Sequence, residues 1–218
     1  VTQKERTART REKILRAAIA EFGTYGYAGG TIGGICSRGI NRGLVYHNFK
    51  DKDTLYLACM EESCGELVRR LEALPIGEQE ETEALIKNVL EVRAEFAEQC
   101  ALESRILFEG LLMPPANLRA EIRGILKPLD SKNKEFLRSA INHVRLRQDV
   151  RENEAMRVFS LIQYAYNGYF QSESMKNRTL EERMQLHEKE IPRILDCLLY
   201  GIAEKKDGKK EPNGTEGE

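Results

Sequence analysis

The stretch "RGINRGLVYHNFKDKDTLY", residues 38–56, holds three helix boundaries in quick succession. Gly39 reads as a helix stop, and Asn41 as the side-chain cap of a short helix over 42–49. Asp51 or Asp53 places negative charge where the next helix begins. On the 42–49 helix, Val45 and Phe49 share an inward face, which leaves Arg42, Gly43, Leu44, Tyr46 and His47 on the remaining surface. Working back toward the amino terminus, Thr31 caps another short helix that carries Ile32, Ile35 and Cys36. Before it, Ile14, Leu15, Ala18, Ile19 and Phe22 form the stripe of a first helix over 9–22, closed at Gly23 and Gly26.

Working forward, helical spacing continues almost without interruption. Leu55, Cys59, Leu67, Leu71 and Leu74 carry a fourth helix to the breaker Pro75-Ile76-Gly77. Further helices are expected over 81–98 and 102–112, stopped by "MPPAN" at 113–117, since a proline disfavours helix at the residue before it. Residues 118–147 read as a helix interrupted or bent near Pro128. Ala155, Val158, Phe159, Ile162, Ala165, Tyr166 and Tyr169 mark the next helix, and 180–203 the last, which Pro192 should kink or split. From Lys205 no apolar residue remains, so the end is expected to be disordered. The expected class is all-α, with a three-helix unit over 1–51, a larger helical unit over 52–204 and a tail over 205–218.

Composition narrows the choices. Of the 218 residues, 41% are hydrophobic and 32% charged, which suits helices better than apolar strands. No run of 18 apolar residues exists, so no membrane span is expected. "VTQKERTARTREK" has no apolar segment behind it and does not read as a secretory signal, which sets the expectation of a cytoplasmic protein. Five cysteines lack CxxC or Cys/His clustering. They read as small apolar filler, with Cys59 and Cys64 the nearest pair for a redox role. Charge is uneven: residues 1–50 hold nine Lys or Arg against three Glu, a net of +6, so the remainder carries −7 of the total −1. A basic end on an acidic body fits a polyanion-binding module.

Catalytic and metal motifs are missing from the sequence. His47 has no partner in an HExxH or ExxH pattern, and "HEKE" at 187–190 fails the same test. Neither GxSxG, a P-loop nor GxGxxG occurs, and "GGTIGG" lacks dinucleotide spacing. No metal and no cofactor is implied. Two short helices joined by a glycine turn, behind a supporting helix and a basic arm, are the parts of a helix-turn-helix, whose second helix enters the DNA major groove. Arg42 can donate to guanine or phosphate, Tyr46 and His47 to phosphate, and Gly43 admits a close backbone. For Tyr46 and His47 the competing reading is core packing with a satisfied polar tip.

Residues 10–61, "TREKILRAAIAEFGTYGYAGGTIGGICSRGINRGLVYHNFKDKDTLYLACME", resemble the amino-terminal domain of the tetracycline-repressor (TetR) family of bacterial transcription regulators. The telling pieces are "ILRAAIAEF", the "GY" before the threonine of helix two, "RGLVYHNF" and "KDKDTLY". The resemblance implies an all-helical homodimer that binds double-stranded operator DNA through its first domain and a small ligand through its second. It implies phosphate contacts for the residues at Thr31, Tyr46, His47 and Lys52 and base contacts for Arg42 and Leu44; Gly43 and Lys50 complete the expected DNA-contacting set. Two features depart from the family pattern. The turn 38–41 is one residue shorter than usual, so an alanine inserted between Arg38 and Gly39 is expected to strengthen operator binding. Gly33 and Gly34 also stand inside helix two, where each glycine costs about 1 kcal/mol relative to alanine.

In the second unit, "CALESRILFEGLLM" sets Arg105 and Glu109 four apart among large apolar residues. They read either as a surface pair or as part of a pocket for a small apolar or amphipathic ligand, with Arg105, Phe108, His143, Tyr164 and Asn167 contributing. The last two helices have apolar faces wider than a single surface helix needs. Their implied use is dimerisation through Ile162, Tyr166, Gly168, Tyr169, Ile194 and Leu198; ordinary core is the alternative. The expected function is a ligand-responsive repressor of a palindromic operator, with the helix over 52–74 as its lever. A sensor of the same fold that has lost operator binding, and a helical enzyme without a known motif, are the rivals.

Overall fold

Every regular element in the computed structural model, which describes residues 2–75 and 82–202, is helical. The head consists of α1 (Gln3–Gly29), α2 (Ile32–Ser37) and α3 (Arg42–Asn48), and α4 (Lys52–Glu72) leads out of it. Three side-chain caps set these boundaries. Gly34 N donates to Thr31 Oγ1 at 2.9 Å, Gly43 N to Asn41 Oδ1 at 2.8 Å and Thr54 N to Asp51 Oδ1 at 2.8 Å. Each cap satisfies an N–H that the first turn of a helix leaves without a partner.

The second part is built from α5 (Thr82–Gln99), α6 (Ala101–Leu112), α7 (Arg119–Ile125), α8 (Lys127–Asn142), α9 (Glu152–Phe170) and α10 (Leu180–Ile202). One core runs through both parts. Ile14, Ala18 and Phe22 of α1, with Ile35, Val45 and Phe49, join Leu55 and Tyr56 of α4 and continue into Ile106 and Leu107 of α6, then Leu129 and Phe136 of α8. A second cluster centres on Phe159 of α9 and Leu198 of α10, and a third on Phe108 and Phe170.

Several boundaries differ from the sequence reading, each for a local reason. α1 begins well before Arg9 because Thr2 and Glu5 cap reciprocally: Glu5 N donates to Thr2 Oγ1 at 3.2 Å and Thr2 N to Glu5 Oε2 at 2.8 Å. Gly23 does not end α1. A β-carbon there would lie 2.7 Å from Leu102 Cβ, so this glycine serves the close approach of α6. The helical path breaks at Gly26, where φ is 70° and ψ 176°. The interruption expected near Pro128 falls at Leu126: the stretch forms two helices, and Pro128 sits in the first turn of α8, where its missing N–H costs nothing. α8 ends at Asn142, and α10 passes through Pro192 as one helix. The breaker at Ile76-Gly77 and the tail over 205–218 lie outside the described residues.

The short turn between α2 and α3 closes with the residues it has. Gly39, at φ 85°, donates from N to Cys36 O at 3.1 Å, Arg38 Nη2 lies 3.5 Å from Glu21 Oε2, and Ile40 packs on the core. An inserted residue has to displace one of these contacts.

The two glycines of α2 have opposite surroundings, which makes them a sharp test. Nothing approaches a β-carbon at Gly33 more closely than Thr31 Oγ1 at 3.8 Å. At Gly34 it collides with the Glu21 carboxylate, which accepts from Thr31 N at 3.2 Å. Gly33→Ala should stabilise by about 1 kcal/mol, a rise of about 2–4 °C in Tm, and Gly34→Ala should lower Tm. Thermal unfolding of the two variants checks this; the reverse order contradicts it.

Candidate DNA-contacting face and interior cavity

On α3, Val45 and Phe49 are buried, whereas Leu44 and Tyr46 are 46% and 48% exposed. Arg42, Gly43, His47, Lys50 and Thr31 are exposed beside them. Core packing for Tyr46 and His47 is thereby excluded. The Arg42 guanidinium stands 5.8 Å from the Tyr46 ring centroid, and Lys52 Nζ lies 4.7 Å over the Tyr27 ring at the start of α4. Thr31 Oγ1 accepts as a cap, and its hydroxyl hydrogen stays available to donate. Of the eight residues expected to contact DNA, five stand on α3, and all but the half-buried Lys52 are exposed.

The head is held from behind by α6. In an unbroken helix Tyr27 N–H donates to Gly23 C=O. Here Tyr27 N donates to Glu109, at 3.0 Å from both carboxylate oxygens, and Gly23 O accepts from Arg105 Nε at 2.6 Å. Tyr56 OH donates to Glu109 Oε2 at 2.8 Å. Gly26 makes this approach possible, since a β-carbon there would lie 2.8 Å from Glu109 Oε1. Burial raises the Glu109 carboxyl above its ordinary range, against the lowering effect of its hydrogen bonds. Beside it, Asn117 Nδ2 donates to Tyr27 OH at 3.0 Å and to Asp53 Oδ2 at 3.1 Å, and Tyr27 OH donates to Asp53 Oδ1 at 2.6 Å. Arg105 and Glu109 thus form no surface pair with each other. Both reach α1, and Arg105 also pairs with Glu181 of α10.

A cavity of about 750 Å³ opens among α5, α6, α7, α8, α9 and α10. Its lining is mostly aliphatic and includes Leu90, Leu126, Leu137, Ile162, Ile191 and Leu195. One wall is polar. Arg93 Nη2 and Nε meet the Glu188 carboxylate at 2.7 and 3.1 Å, His187 Nδ1 lies 3.0 Å from Glu188 Oε1, and His187 Nε2 lies 3.2 Å from Asn167 Oδ1. Gln163 Oε1, on the same lining, is buried and has no hydrogen-bond partner among the described residues. Burial pushes Glu188 up, but Arg93 and His187 together bring it down to about 2.

Of the five residues expected around a ligand, Tyr164 and Asn167 line this cavity. The other three do not. Arg105 is turned toward α1, Phe108 packs behind the wall with its ring centroid 5.7 Å from that of His187, and His143 ends α8 with Nδ1 2.8 Å from Ser139 O. Arg93, Gln163 and His187, which line it, were missed because α5, α9 and α10 meet only in the fold. The available signal was Arg93 itself, a cation four residues after Val89 on an otherwise apolar face.

The residues expected at a dimer interface divide. Leu198 is buried, and Ile162 and Ile194 pack against its cluster while flooring a shallow groove with Val158 and Cys197. Tyr166 OH donates to His187 O at 2.7 Å. These four serve the chain's own packing, whereas Gly168 and Tyr169 face outward. Val158, Leu161 and Tyr164 extend that outward side of α9, with Leu161 60% exposed. Cys59 and Cys64 are buried, and burial raises both thiols, Cys64 to about 11, which suits filler better than redox chemistry.

Residues 14–59 match the family model of bacterial regulatory proteins, tetR family. The match runs from within α1 through α2 and α3 into α4. The whole chain shares its fold with solved regulators. The transcriptional regulator FadR from Bacillus subtilis, in complex with stearoyl-CoA, is 18% identical with a TM-score of 0.59, over 88% of this chain and 98% of that one. FadR from Bacillus halodurans, a fatty acid degradation regulator, is 17% identical with a TM-score of 0.59, over 88% and 95%. SmeT, the repressor of the Stenotrophomonas maltophilia multidrug efflux pump SmeDEF, is 24% identical with a TM-score of 0.58, over 94% of each chain. No curated protein sequence matches this chain.

Removing one member of the Arg93–Glu188 pair should be costly, because the other charge is left half-buried and alone. Arg93→Met should destabilise by about 1–3 kcal/mol, less than a fully buried pair would lose, and Arg93→Met with Glu188→Leu should cost less. With Glu188 at about 2 against an ordinary 4.5, the contribution of its charge is complete above the ordinary value and lost as pH falls toward 2. In urea unfolding the stability gap between wild type and Glu188→Gln should therefore close between about pH 5 and about pH 2. A gap that stays constant with pH contradicts the assignment.

Proposed function

We propose that the chain is a ligand-responsive repressor that binds a palindromic operator as a homodimer. The observation that carries this reading is the exposed side of α3, where Arg42, Leu44, Tyr46 and His47 stand free while Val45 and Phe49 hold the helix to the core. In the major groove, Arg42 and Leu44 face bases. Thr31, Tyr46, His47, Lys50 and Lys52 hold phosphates, and Gly43 brings the backbone close. A named repressor and a regulator solved with stearoyl-CoA share the fold, which supports a binding role for the second domain.

Release follows from how α6 is placed. Its Gly110 and Leu111 line the cavity, while the adjacent Glu109 grips α1 and Tyr56 of α4. α4 is tied to the same point, because Met60 fills the space beside Gly110 that a β-carbon would need. A ligand in the cavity that displaces α6 therefore moves α1 and α4 together, which adds α6 to the expected lever α4. A hundredfold loss of operator affinity requires about 2.7 kcal/mol of coupling, and operator DNA must weaken the ligand by the same factor. The two heads of a dimer must stay about 34–36 Å apart to enter successive major grooves, so a tilt of α4 is enough to disengage one of them. Dimerisation is assigned to the outward side of α9, with Val158, Leu161, Gly168 and Tyr169, and to the adjoining outer side of α10.

A mobility-shift titration with DNA flanking the protein's own gene tests the reading. Arg42→Ala should lose about 1–3 kcal/mol at one operator position and relax the preference there. Lys52→Ala should weaken specific and non-specific DNA alike and reduce the salt slope by about one. Equal losses on all sequences for Arg42→Ala reassign it to the backbone, and no shift with wild-type protein contradicts operator binding.

The dimer is tested separately. Leu161→Glu should give folded monomers in sedimentation and weaken operator binding, since one head covers only half a palindromic site. A wild-type protein that sediments as a monomer at micromolar concentration contradicts the assembly.

A further inference from the structure

We propose that the cavity takes an amphipathic anion, with an alkyl or acyl chain in its interior and a carboxylate or phosphate head at a basic rim. This proposal rests on reading the cavity as the ligand site and assigns the chemistry of what fills it.

The rim consists of Arg119, Arg123 and Lys127, spaced four apart from the start of α7 to the first residue of α8. All three are exposed and all three line the cavity. Among the described residues none of them meets a carboxylate; Arg123 Nε only donates to Arg119 O at 3.4 Å. The neighbouring acid, Asp130, is taken by Lys134 Nζ at 2.6 Å. The uncompensated charge at this edge is thus positive, on a part of the chain that carries −7 over residues 51–218. Deeper in, charge cancels, because Arg93 is held by Glu188 at two atoms.

The interior indicates the other half of the ligand. Aliphatic side chains predominate from Leu126 and Leu129 near the rim to Leu195 and Leu199 of α10, and they outnumber the ring-bearing residues Phe136, Phe159, Tyr164, Tyr166 and His187. A flexible hydrocarbon chain fits such a lining, and apolar contact rather than stacking stabilises it. A neutral hydrocarbon leaves the rim unanswered, and a cationic amphiphile meets it with like charge.

The test is isothermal titration of the full chain with dodecanoate, dodecyl phosphate, dodecanol and dodecyltrimethylammonium, all below micelle-forming concentrations. The two anions should bind saturably and the cation not at all. Each methylene removed from the carboxylate should weaken binding about fourfold. The triple variant R119Q/R123Q/K127Q changes only exposed side chains and should weaken both anions roughly tenfold while leaving dodecanol nearly unchanged. Added salt should weaken the anions and spare the alcohol. Whichever anion binds more tightly names the head group. Equal affinity for anion, alcohol and cation, an unchanged triple variant, or no binding of any alkyl compound overturns the proposal. Mobility shifts with the same compounds separate the two readings. Tight anion binding that leaves the DNA complex intact supports the ligand class and contradicts the switch. Absent anion binding with intact DNA binding overturns the ligand class alone.

Discussion

The structure depends on one helical hydrogen bond that α1 gives up to α6. Gly26 turns the backbone out of the helical path, and the Tyr27 N–H and Gly23 C=O bond to Glu109 and Arg105, one helical turn apart on α6. A buried N–H without a partner costs about 1–3 kcal/mol, so the kink in α1 is sustainable only while α6 lies against it. The reverse also holds. The Glu109 carboxylate is buried at a cost seen in its raised pKa, and what offsets that cost is donated by Tyr27 and Tyr56. The head and the second domain therefore share a core and a polar junction.

That junction gives the fold a mechanical character. α6 has one side against the head and another on the cavity, and Glu109 and Gly110 are adjacent residues on these two sides. Close-packed interiors respond to displacement as a unit. A shift of α6 large enough to admit a ligand cannot leave a 3.0 Å hydrogen bond at Tyr27 undisturbed, and Tyr27 in turn is tied through its hydroxyl to Asp53 at the start of α4. Lys52, over the Tyr27 ring, is one of the groups assigned to phosphate.

What was legible in the sequence was short-range. Thr31, Asn41 and Asp51 announce caps because the bonds they make lie two or three residues away, and Val45 and Phe49 declare the inner face of α3 by spacing alone. Gly23 and the Arg105–Glu109 pair were misread for the opposite reason. A glycine in a helix reads as a stop and a four-residue charge pair reads as self-satisfied, until the helix lying opposite is known. The cavity was barely legible, since its lining comes from six helices and Phe108 and His143 fall outside it although they stand near apolar runs. On α9 the width of the apolar face was visible, but which half turns inward depends on α8 and α10.

The central claim, that α6 completes the broken turn of α1, is tested most directly by amide hydrogen exchange at Tyr27. In wild type the Tyr27 amide should exchange slowly, and Glu109→Ala should speed it by about tenfold or more while Ala18, deep in the same helix, changes far less. A Tyr27 amide that exchanges as freely as an unstructured one in wild type, or that does not respond to loss of Glu109, contradicts the account.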